Sequence, residues 1–274
     1  MRDVVALVRP RISAMVAGAA AFGYLLAGNV SVWRLVGAVG GAFFLCAGCS
    51  ALNQVQEWRI DARMSRTASR PVASGRMTPA AGAGAAALTM GLGAGLYWMA
   101  GGALVLAVCA GVVALYNGLY TPLKRHTSFA VLVGGVAGAL PPYTGWLCAG
   151  GEPLDTGILG VGLMIYLWQV PHFWMLAELH REDFAAAGLP VTPLRMPRRI
   201  FNPLMYLWVV GYFTAALALP VLVDAPGAAL GVTAASAACG VGVGLCGMWG
   251  RTGRAMVWLN ASLPLVCVAV LLGL

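Results

Sequence analysis

The sequence predicts an all-α, polytopic membrane protein with nine transmembrane helices, and three observations support this fold class. Of the 274 residues, 60% are hydrophobic and 9% are charged, whereas soluble domains carry roughly a quarter charged residues. The apolar residues form runs of about 20, the length of a helix that crosses a hydrocarbon core ~30 Å thick. The basic residues fall on alternate loops between these runs, as expected for cytoplasmic loops.

Breaks at charged residues, Pro and Gly separate nine predicted spans. They are residues 12–29, 35–56, 79–99, 101–120, 128–149, 157–178, 200–223, 227–249 and 255–273. Almost all of the 17 Lys and Arg lie on one side of this arrangement, and only Arg34 lies on the other. The positive-inside rule then predicts a multi-pass protein of the cell inner (plasma) membrane, with a cytoplasmic N-terminus and an external C-terminus. We expect residues 1–274 to form a single transmembrane domain.

The net charge of +8 is explained by this topology, so no nucleic-acid partner is expected. The many Gly residues inside apolar runs indicate close helix packing. Cys46 and Cys49 form a C-x-x-C pair, but Ser50 follows where c-type haem attachment needs His. Most cysteines are therefore interpreted as small packing residues.

The first cluster of chemically active residues lies at the end of the second predicted span. Asn53, Glu57 and Asp61 are four residues apart, so a continuing helix would place all three on one face. Three oxygen ligands of this kind suit Mg²⁺, which completes its shell with water and substrate phosphate. Three arginines follow on the same segment: Arg63, Arg66 and Arg70. Guanidinium groups bind phosphate at two points, so the segment predicts a metal-bridged diphosphate site. The alternative is an exposed helix end with ordinary ion pairs and topology-setting arginines.

A second acidic cluster follows the sixth predicted span. Glu178 and Glu182 would share a helical face, with Asp183 adjacent, and the three are predicted to hold a second metal ion. The alternative is a solvated helix terminus. Because the two acidic loops are four spans apart, they emerge on the same side, and parallel halves would bring them together over one cavity. Lys124 and Arg125 add cations on that side, as substrate ligands or as topology-setting charges.

Three ordered segments resemble the UbiA superfamily of intramembrane prenyltransferases, and in particular its haem O synthase (protohaem IX farnesyltransferase) branch. The matching segments are Asn53 to Pro71, the Tyr120 to Arg125 loop with Gly134 to Trp146, and Trp168 to Trp174 with Asp183 to Pro190. Two departures are visible. Glu57 stands where many relatives have Asp. The second loop has His180, Glu182 and Asp183 instead of the D-x-x-x-D of quinone-type members, as haem O synthases do.

The resemblance implies nine helices around a central cavity, Mg²⁺ as cofactor, and transfer of a farnesyl group from farnesyl diphosphate to a vinyl group of haem B. It also implies an association with haem A synthase or a terminal oxidase assembly. Two alternatives stay open. One is a UbiA-type enzyme acting on a quinone precursor or other aromatic ring. The other is a transporter, for which we expect acidic residues at mid-span, and the spans contain essentially none.

The residue patterns and the resemblance together give the candidate roles. Metal binding and catalysis fall to Asn53, Glu57, Asp61, Arg66 and Arg70, and the second metal set is Glu178, Glu182 and Asp183. Substrate binding falls to Lys124, Arg125, Trp168, His172 and His180. His172 follows Pro171 in a membrane segment, where an ionisable group is expensive, and a neutral imidazole is a good iron ligand. It is either a haem ligand or a structural residue bonded to a carbonyl freed by Pro171.

Overall fold

The structure is a computed structural model that describes residues 2–28 and 31–274, and within these residues all regular secondary structure is helical. This confirms the predicted all-α class. The chain forms two compact units. The first comprises the described residues up to Pro153 together with Glu182–Leu189, and the second comprises Leu154–Arg181 and Pro190–Leu274. The prediction of a single domain stays a prediction.

The first unit contains the helices that carry the first acidic cluster. They are α1 (Arg2–Val8), α2 (Pro10–Leu26), α3 (Val32–Asp61), α4 (Pro79–Val113), a π-helix (Ala114–Tyr120), α5 (Thr121–Leu123) and α6 (Ala130–Cys148). Most of the short helix α8 (Arg181–Ala186) also belongs here. Thr78 caps α4, because its side chain accepts a hydrogen bond from the Ala81 amide at 3.2 Å.

The second unit contains four long helices and two short ones. They are α7 (Thr156–Leu179), α9 (Thr192–Arg195), α10 (Arg198–Leu222), the 3₁₀ helix Pro226–Ala228, α11 (Ala229–Met248) and α12 (Thr252–Leu272). Asp155 caps α7 by accepting hydrogen bonds from the amides of Gly157 (2.8 Å) and Ile158 (3.1 Å).

The predicted count of nine separate helices needs one correction. Among the described residues, seven helices are long and apolar enough to cross a membrane, and the bent pair Arg2–Val8 and Pro10–Leu26 makes an eighth. The difference lies in predicted spans 79–99 and 101–120, which form one 45-residue helical stretch, Pro79–Leu123. Asn29, the last residue of predicted span 12–29, lies outside the described residues.

That stretch reverses direction inside unit 1. A Cβ atom on Gly48 would lie 2.8 Å from the Met90 nitrogen, and Asn117 Nδ2 donates to the neighbouring Cys49 carbonyl at 3.1 Å. Met90 and Asn117 would be about 40 Å apart on a straight helix, so the chain must turn back between them. Gly102 provides the turn, with φ 71° and ψ −156°, a conformation that is essentially restricted to glycine. The two helices on either side of Gly102 follow each other without an intervening loop, so the two predicted spans form one stretch of chain.

Helices α2 and α6 approach each other through small residues. A methyl group on Gly23 would overlap the backbone of Pro142, and one on Gly145 would overlap the backbone of Ala20. Close backbone approach of this kind drives helix association in lipid, where burial of apolar surface gives no advantage. The expected packing role of glycine is therefore seen at this interface.

Polar contacts join the helices of unit 2. Trp168 Nε1 on α7 donates to the Leu259 carbonyl on α12 at 2.9 Å. The Tyr212 hydroxyl on α10 and Ser262 Oγ on α12 lie 2.8 Å apart, and Ser262 Oγ also donates to Leu259 at 2.7 Å. Hydrogen bonds between membrane helices stabilise modestly, by about 0.6 kcal/mol on average, so these contacts mainly fix the register of α7, α10 and α12.

The loops of unit 1 that were predicted to share one side of the membrane meet at one end of this unit. Gln54 Nε2 donates to the Leu7 carbonyl at 2.7 Å, which joins the N-terminus to α3. Arg125 donates to the Gln56 carbonyl at 2.6 Å, which joins the segment after α5 to the same helix. The shared side agrees with the distribution of basic residues, and the compartment it faces stays a prediction.

Candidate active site

The last two turns of α3 carry Asn53, Glu57 and Asp61 on one buried face. Because α3 continues to Asp61, the three side chains are one turn apart, as the four-residue spacing predicts. As whole residues, they are 4%, 3% and 4% exposed. Buried polar and charged groups at the end of a membrane helix require partners, and the partners of each define the site.

The two carboxylate oxygens of Glu57 differ in their hydrogen-bond partners. Its Oε2 accepts from Asn53 Nδ2 at 3.0 Å and pairs with Lys124 Nζ at 2.5 Å. Its Oε1 is buried, and no group among the described residues donates to it. Asn53 Nδ2 also donates to Thr121 Oγ1 at 3.1 Å, so α5 contacts Asn53 and the residue that follows α5, Lys124, contacts Glu57. An orphaned carboxylate oxygen in a buried, oxygen-rich position is a suitable ligand for a hard divalent cation.

Asp61 pairs with Arg70, which returns from the loop after α3. The Arg70 guanidinium lies 2.7 Å from Asp61 Oδ2, and the two side chains are 18% and 6% exposed. The Asp61 carbonyl accepts a hydrogen bond from Thr67 Oγ1 at 2.8 Å, which fixes the turn that brings Arg70 back.

Two further arginines, Arg9 and Arg66, cluster beside this pair. Arg9, at the left-handed junction between α1 and α2, lies close enough to Arg70 and Arg66 for their charges to interact. Partial burial of the Arg66 guanidinium, and then the positive charge of Arg70, lower the pKa of Arg66. Like charges held together in this way favour an anionic ligand between them.

The π-helix Ala114–Tyr120, which follows the reversal at Gly102, positions residues that face α3. Asn117 within it donates to Gln56 Oε1 at 3.2 Å, and Gln56 Nε2 donates back to the Asn117 carbonyl at 3.0 Å. Thr121 Oγ1 donates to the Tyr116 carbonyl at 2.8 Å, which orients its lone pairs toward Asn53. π-helical segments frequently occur at functional sites, and this one leads through α5 to Lys124.

Asp183 contacts the loop that follows α3. Its Oδ1 accepts from the Ser65 amide at 3.0 Å and from Ser65 Oγ at 2.7 Å, and its Oδ2 accepts from the Arg66 amide at 3.2 Å. These hydrogen bonds, above all that from Ser65 Oγ, lower the pKa of Asp183. Asp183 therefore links the segment 182–189 to the Arg66 loop within unit 1.

The expected helical face shared by Glu178 and Glu182 is wrong, because α7 ends at Leu179. His180 leaves the helical conformation (φ −114°, ψ 32°), and Glu182 belongs to α8. Glu178 pairs instead with Arg181 at 3.4 Å and Arg198 at 3.0 Å. Among the described residues, no three His, Cys, Asp or Glu side chains lie close enough to hold a metal ion by themselves. A cation at Glu57 would therefore need the Asn53 amide, water or substrate oxygens as further ligands.

Unit 2 brings together His172, Trp168 and Asn260. The imidazole ring stacks on the Trp168 indole with centroids 4.7 Å apart and an interplanar angle of 19°. His172 Nδ1 lies 2.7 Å from Asn260 Oδ1. Because an amide oxygen only accepts, Nδ1 carries the proton in the neutral ring, and Nε2 carries the lone pair. His172 thus bonds a side chain of α12 rather than a carbonyl freed by Pro171.

Comparison with known proteins assigns the family. A model of the UbiA prenyltransferase family matches residues 15–270. The chain belongs to this family. It is similar to a protoheme IX farnesyltransferase of Oleidesulfovibrio alaskensis, with 46% identity over 223 residues that cover 81% of this chain and 78% of that relative.

Two solved structures share the fold of this UbiA-family prenyltransferase. A UbiA homolog from Aeropyrum pernix K1 has a TM-score of 0.79 at 15% identity, covering 96% of this chain and 97% of that one. A UbiA homolog from Archaeoglobus fulgidus bound to GPP and Mg²⁺ has a TM-score of 0.68 at 13% identity, covering 96% and 99%. The predicted family, fold class and prenyltransferase activity are confirmed, and the chain is a multi-pass membrane protein.

Four residues that surround Asn53, Glu57 and Asp61 (the acidic stripe) were not among the predicted site residues: Arg9, Gln56, Asn117 and Thr121. Arg9 was assigned to topology alone, although the Arg-Pro pair ahead of an apolar run was visible. Asn117 lies inside an apolar run, where a polar amide is unusual, and that signal would have identified it. Gln56 and Thr121 gave no comparable signal.

Proposed function

We propose that this enzyme transfers a farnesyl group from farnesyl diphosphate to a vinyl group of haem B and so makes haem O. The observation that carries the proposal is the 46% identity, over most of the chain, to a relative named protoheme IX farnesyltransferase. The buried acidic stripe beside an arginine cluster supports a diphosphate as one substrate.

Asn53, Glu57 and Asp61 would hold Mg²⁺, and the free, buried Oε1 of Glu57 supports this assignment. When bound, the metal neutralises charge on the diphosphate as it leaves. A solved relative of the same fold binds GPP and Mg²⁺, and these residues present the oxygen ligands that Mg²⁺ prefers.

Arg9, Arg66 and Arg70 would bind the diphosphate oxygens and stabilise the negative charge that develops there. The bond between the farnesyl C1 and the diphosphate oxygen breaks, and its electron pair leaves with pyrophosphate. The vinyl π electrons of haem B form the new carbon–carbon bond with the allylic cation. Water adds to the resulting carbocation and loses a proton, which leaves a hydroxyethylfarnesyl arm. Lys124 and Arg125 are proposed to bind anionic groups of the substrates.

His172 is proposed to ligate the haem iron through Nε2. The Asn260 contact supports this role, because it places the proton on Nδ1 and leaves the lone pair on Nε2. The stacked Trp168 restricts rotation of the ring. His180 as a substrate ligand, and Glu178, Glu182 and Asp183 as ligands of a second metal ion, stay predictions.

The orientation and location are also part of the proposal. A cytoplasmic N-terminus and an external C-terminus in the plasma membrane would place the diphosphate site on the cytoplasmic side. The distribution of Lys and Arg supports this orientation. An association with haem A synthase or a terminal oxidase assembly would pass the apolar product directly to its next user.

The test is to incubate membranes that contain the enzyme with haem B, farnesyl diphosphate and Mg²⁺, and to separate the haems by reverse-phase chromatography with mass spectrometry. We expect haem O with the wild type, and little or none with the Glu57→Gln variant or with chelator. Geranyl and geranylgeranyl diphosphate in parallel reactions measure the preferred chain length. Prenylation of a 4-hydroxybenzoate acceptor without haem O would instead assign the enzyme to the quinone-type branch.

A further inference from the structure

Lys124 forms an ion pair with Glu57, whose carboxylate is proposed to bind the metal ion. Its Nζ lies 2.5 Å from Glu57 Oε2, and the same ammonium group lies 5.2 Å from the centre of the Tyr120 ring. Lys124 follows α5 directly, so the π-helix and α5 determine where its stem begins. The side chain is half-buried at 24% exposure, whereas the Glu57 side chain is 4% exposed.

The two carboxylates of the acidic stripe are neutralised by different kinds of cation. Asp61 pairs with Arg70, whose planar guanidinium forms a directional hydrogen bond. Glu57 pairs with a lysine, whose compact ammonium sits on a flexible four-carbon stem. A buried carboxylate without a counter-charge would be strongly destabilising, so Lys124 satisfies Glu57 when no metal ion is present.

We propose that Lys124 is a resident counter-ion of the metal site, which pairs with Glu57 in the substrate-free enzyme and moves to the diphosphate when metal and diphosphate bind together. This inference rests on the proposed function. A divalent cation at Glu57 and the Lys124 ammonium would repel each other at short range in a poorly solvated site. The negative charge of the diphosphate removes that conflict, because it gives the ammonium a second anion within reach.

The proposal predicts that removal of the Lys124 charge changes the metal affinity in opposite directions with and without diphosphate. A purely structural role would not give this result. Without diphosphate, Lys124 competes with the metal ion, so its removal strengthens metal binding. With diphosphate, Lys124 helps to bind the anion, so its removal weakens the ternary complex. A residue that only supports the fold would weaken both when it is replaced.

The experiment measures Mn²⁺ binding by electron paramagnetic resonance to the full chain in lipid nanodiscs, with and without inorganic pyrophosphate. Lys124→Met removes the charge and keeps an apolar stem, Lys124→Gln repeats the change with a polar group, and Lys124→Arg keeps the charge. Arg59→Met is the matched control: Arg59 lies two residues from Glu57 on α3, and its guanidinium lies 5.0 Å from the Trp58 ring centre instead of on the carboxylate.

Lys124→Met and Lys124→Gln are expected to bind Mn²⁺ alone about tenfold more tightly than the wild type, the size of a typical coupling between sites. With pyrophosphate, both should bind Mn²⁺ more weakly than the wild type. Lys124→Arg keeps the charge and should not tighten Mn²⁺ binding without pyrophosphate, and Arg59→Met should change neither affinity by more than about twofold. Equal or weaker Mn²⁺ binding by both uncharged variants in the absence of pyrophosphate would overturn the inference, as would the same tightening in Arg59→Met. If Mn²⁺ binding with pyrophosphate is insensitive to Glu57→Gln in the wild-type background, the metal site of the proposed function is itself wrong.

Discussion

Asp61→Ala is expected to impair both stability and catalysis, and the contact with Arg70 allows the two effects to be separated. The substitution leaves the Arg70 guanidinium without the carboxylate that lies 2.7 Å away. Breaking a fully buried ion pair costs about 3–5 kcal/mol. Because the Arg70 side chain is 18% exposed, water can reach part of the orphaned charge, and we expect a loss of about 1–3 kcal/mol.

The double variant Asp61→Ala/Arg70→Met distinguishes the two effects. Removing both charges leaves no buried ion unpaired, so the thermal unfolding midpoint in detergent should return most of the way to the wild-type value. Haem O production should stay below detection, because one proposed metal ligand and one proposed diphosphate ligand are missing. Inserted protein is quantified by immunoblot of washed membranes as the control. Normal haem O production by Asp61→Ala, or restored production by the double variant, would refute the catalytic role of Asp61.

Three further predictions concern the chemistry and the topology. Glu57→Asp should retain measurable transfer because it keeps a carboxylate, whereas Glu57→Gln should lose at least about a hundredfold in initial rate; equal rates would argue against metal coordination. A reporter fused after Leu274 should behave as external and one inserted within 184–198 as cytoplasmic, and signals from the same side would contradict the proposed topology. His172→Ala should lose the Soret shift on haem addition while keeping Mn²⁺–pyrophosphate binding, and Asn260→Leu should weaken haem binding about tenfold through loss of the fixed tautomer; an unchanged haem spectrum in His172→Ala would return His172 to a structural role.

The elements that the sequence predicted well are those set by local periodicity. The four-residue spacing of Asn53, Glu57 and Asp61 is sufficient to place them on one helical face, because nothing in that segment interrupts a helix. A break between residues 99 and 101 was also predicted, next to the observed reversal at Gly102. That these two helices follow each other without a loop could not be predicted, because the close turn depends on the packing of both helices against α3.

The end of α7 at Leu179 had no local signal. The residues from Ala177 to Ala187 are good or neutral helix formers, and the next strong helix breaker is Gly188. The Asp183 carboxylate instead binds the Ser65 and Arg66 groups, which fixes α8 by tertiary contacts. The pairing of Lys124 with Glu57 could not be predicted for the same reason. The two residues meet only because the stretch Pro79–Leu123 turns back at Gly102 and packs against α3.

The charges at this end of unit 1 explain why a metal–diphosphate complex suits the site better than either component alone. Four cationic side chains have charges that interact with one another or with the carboxylates of Glu57, Asp61 and Asp183: Arg9, Arg66, Arg70 and Lys124. This group carries one excess positive charge. A divalent cation alone would raise that excess, and a diphosphate ester alone, with about three negative charges, would reverse it. The two together add about one negative charge, which balances the site and allows Lys124 to exchange one anion for another without leaving a buried charge unpaired.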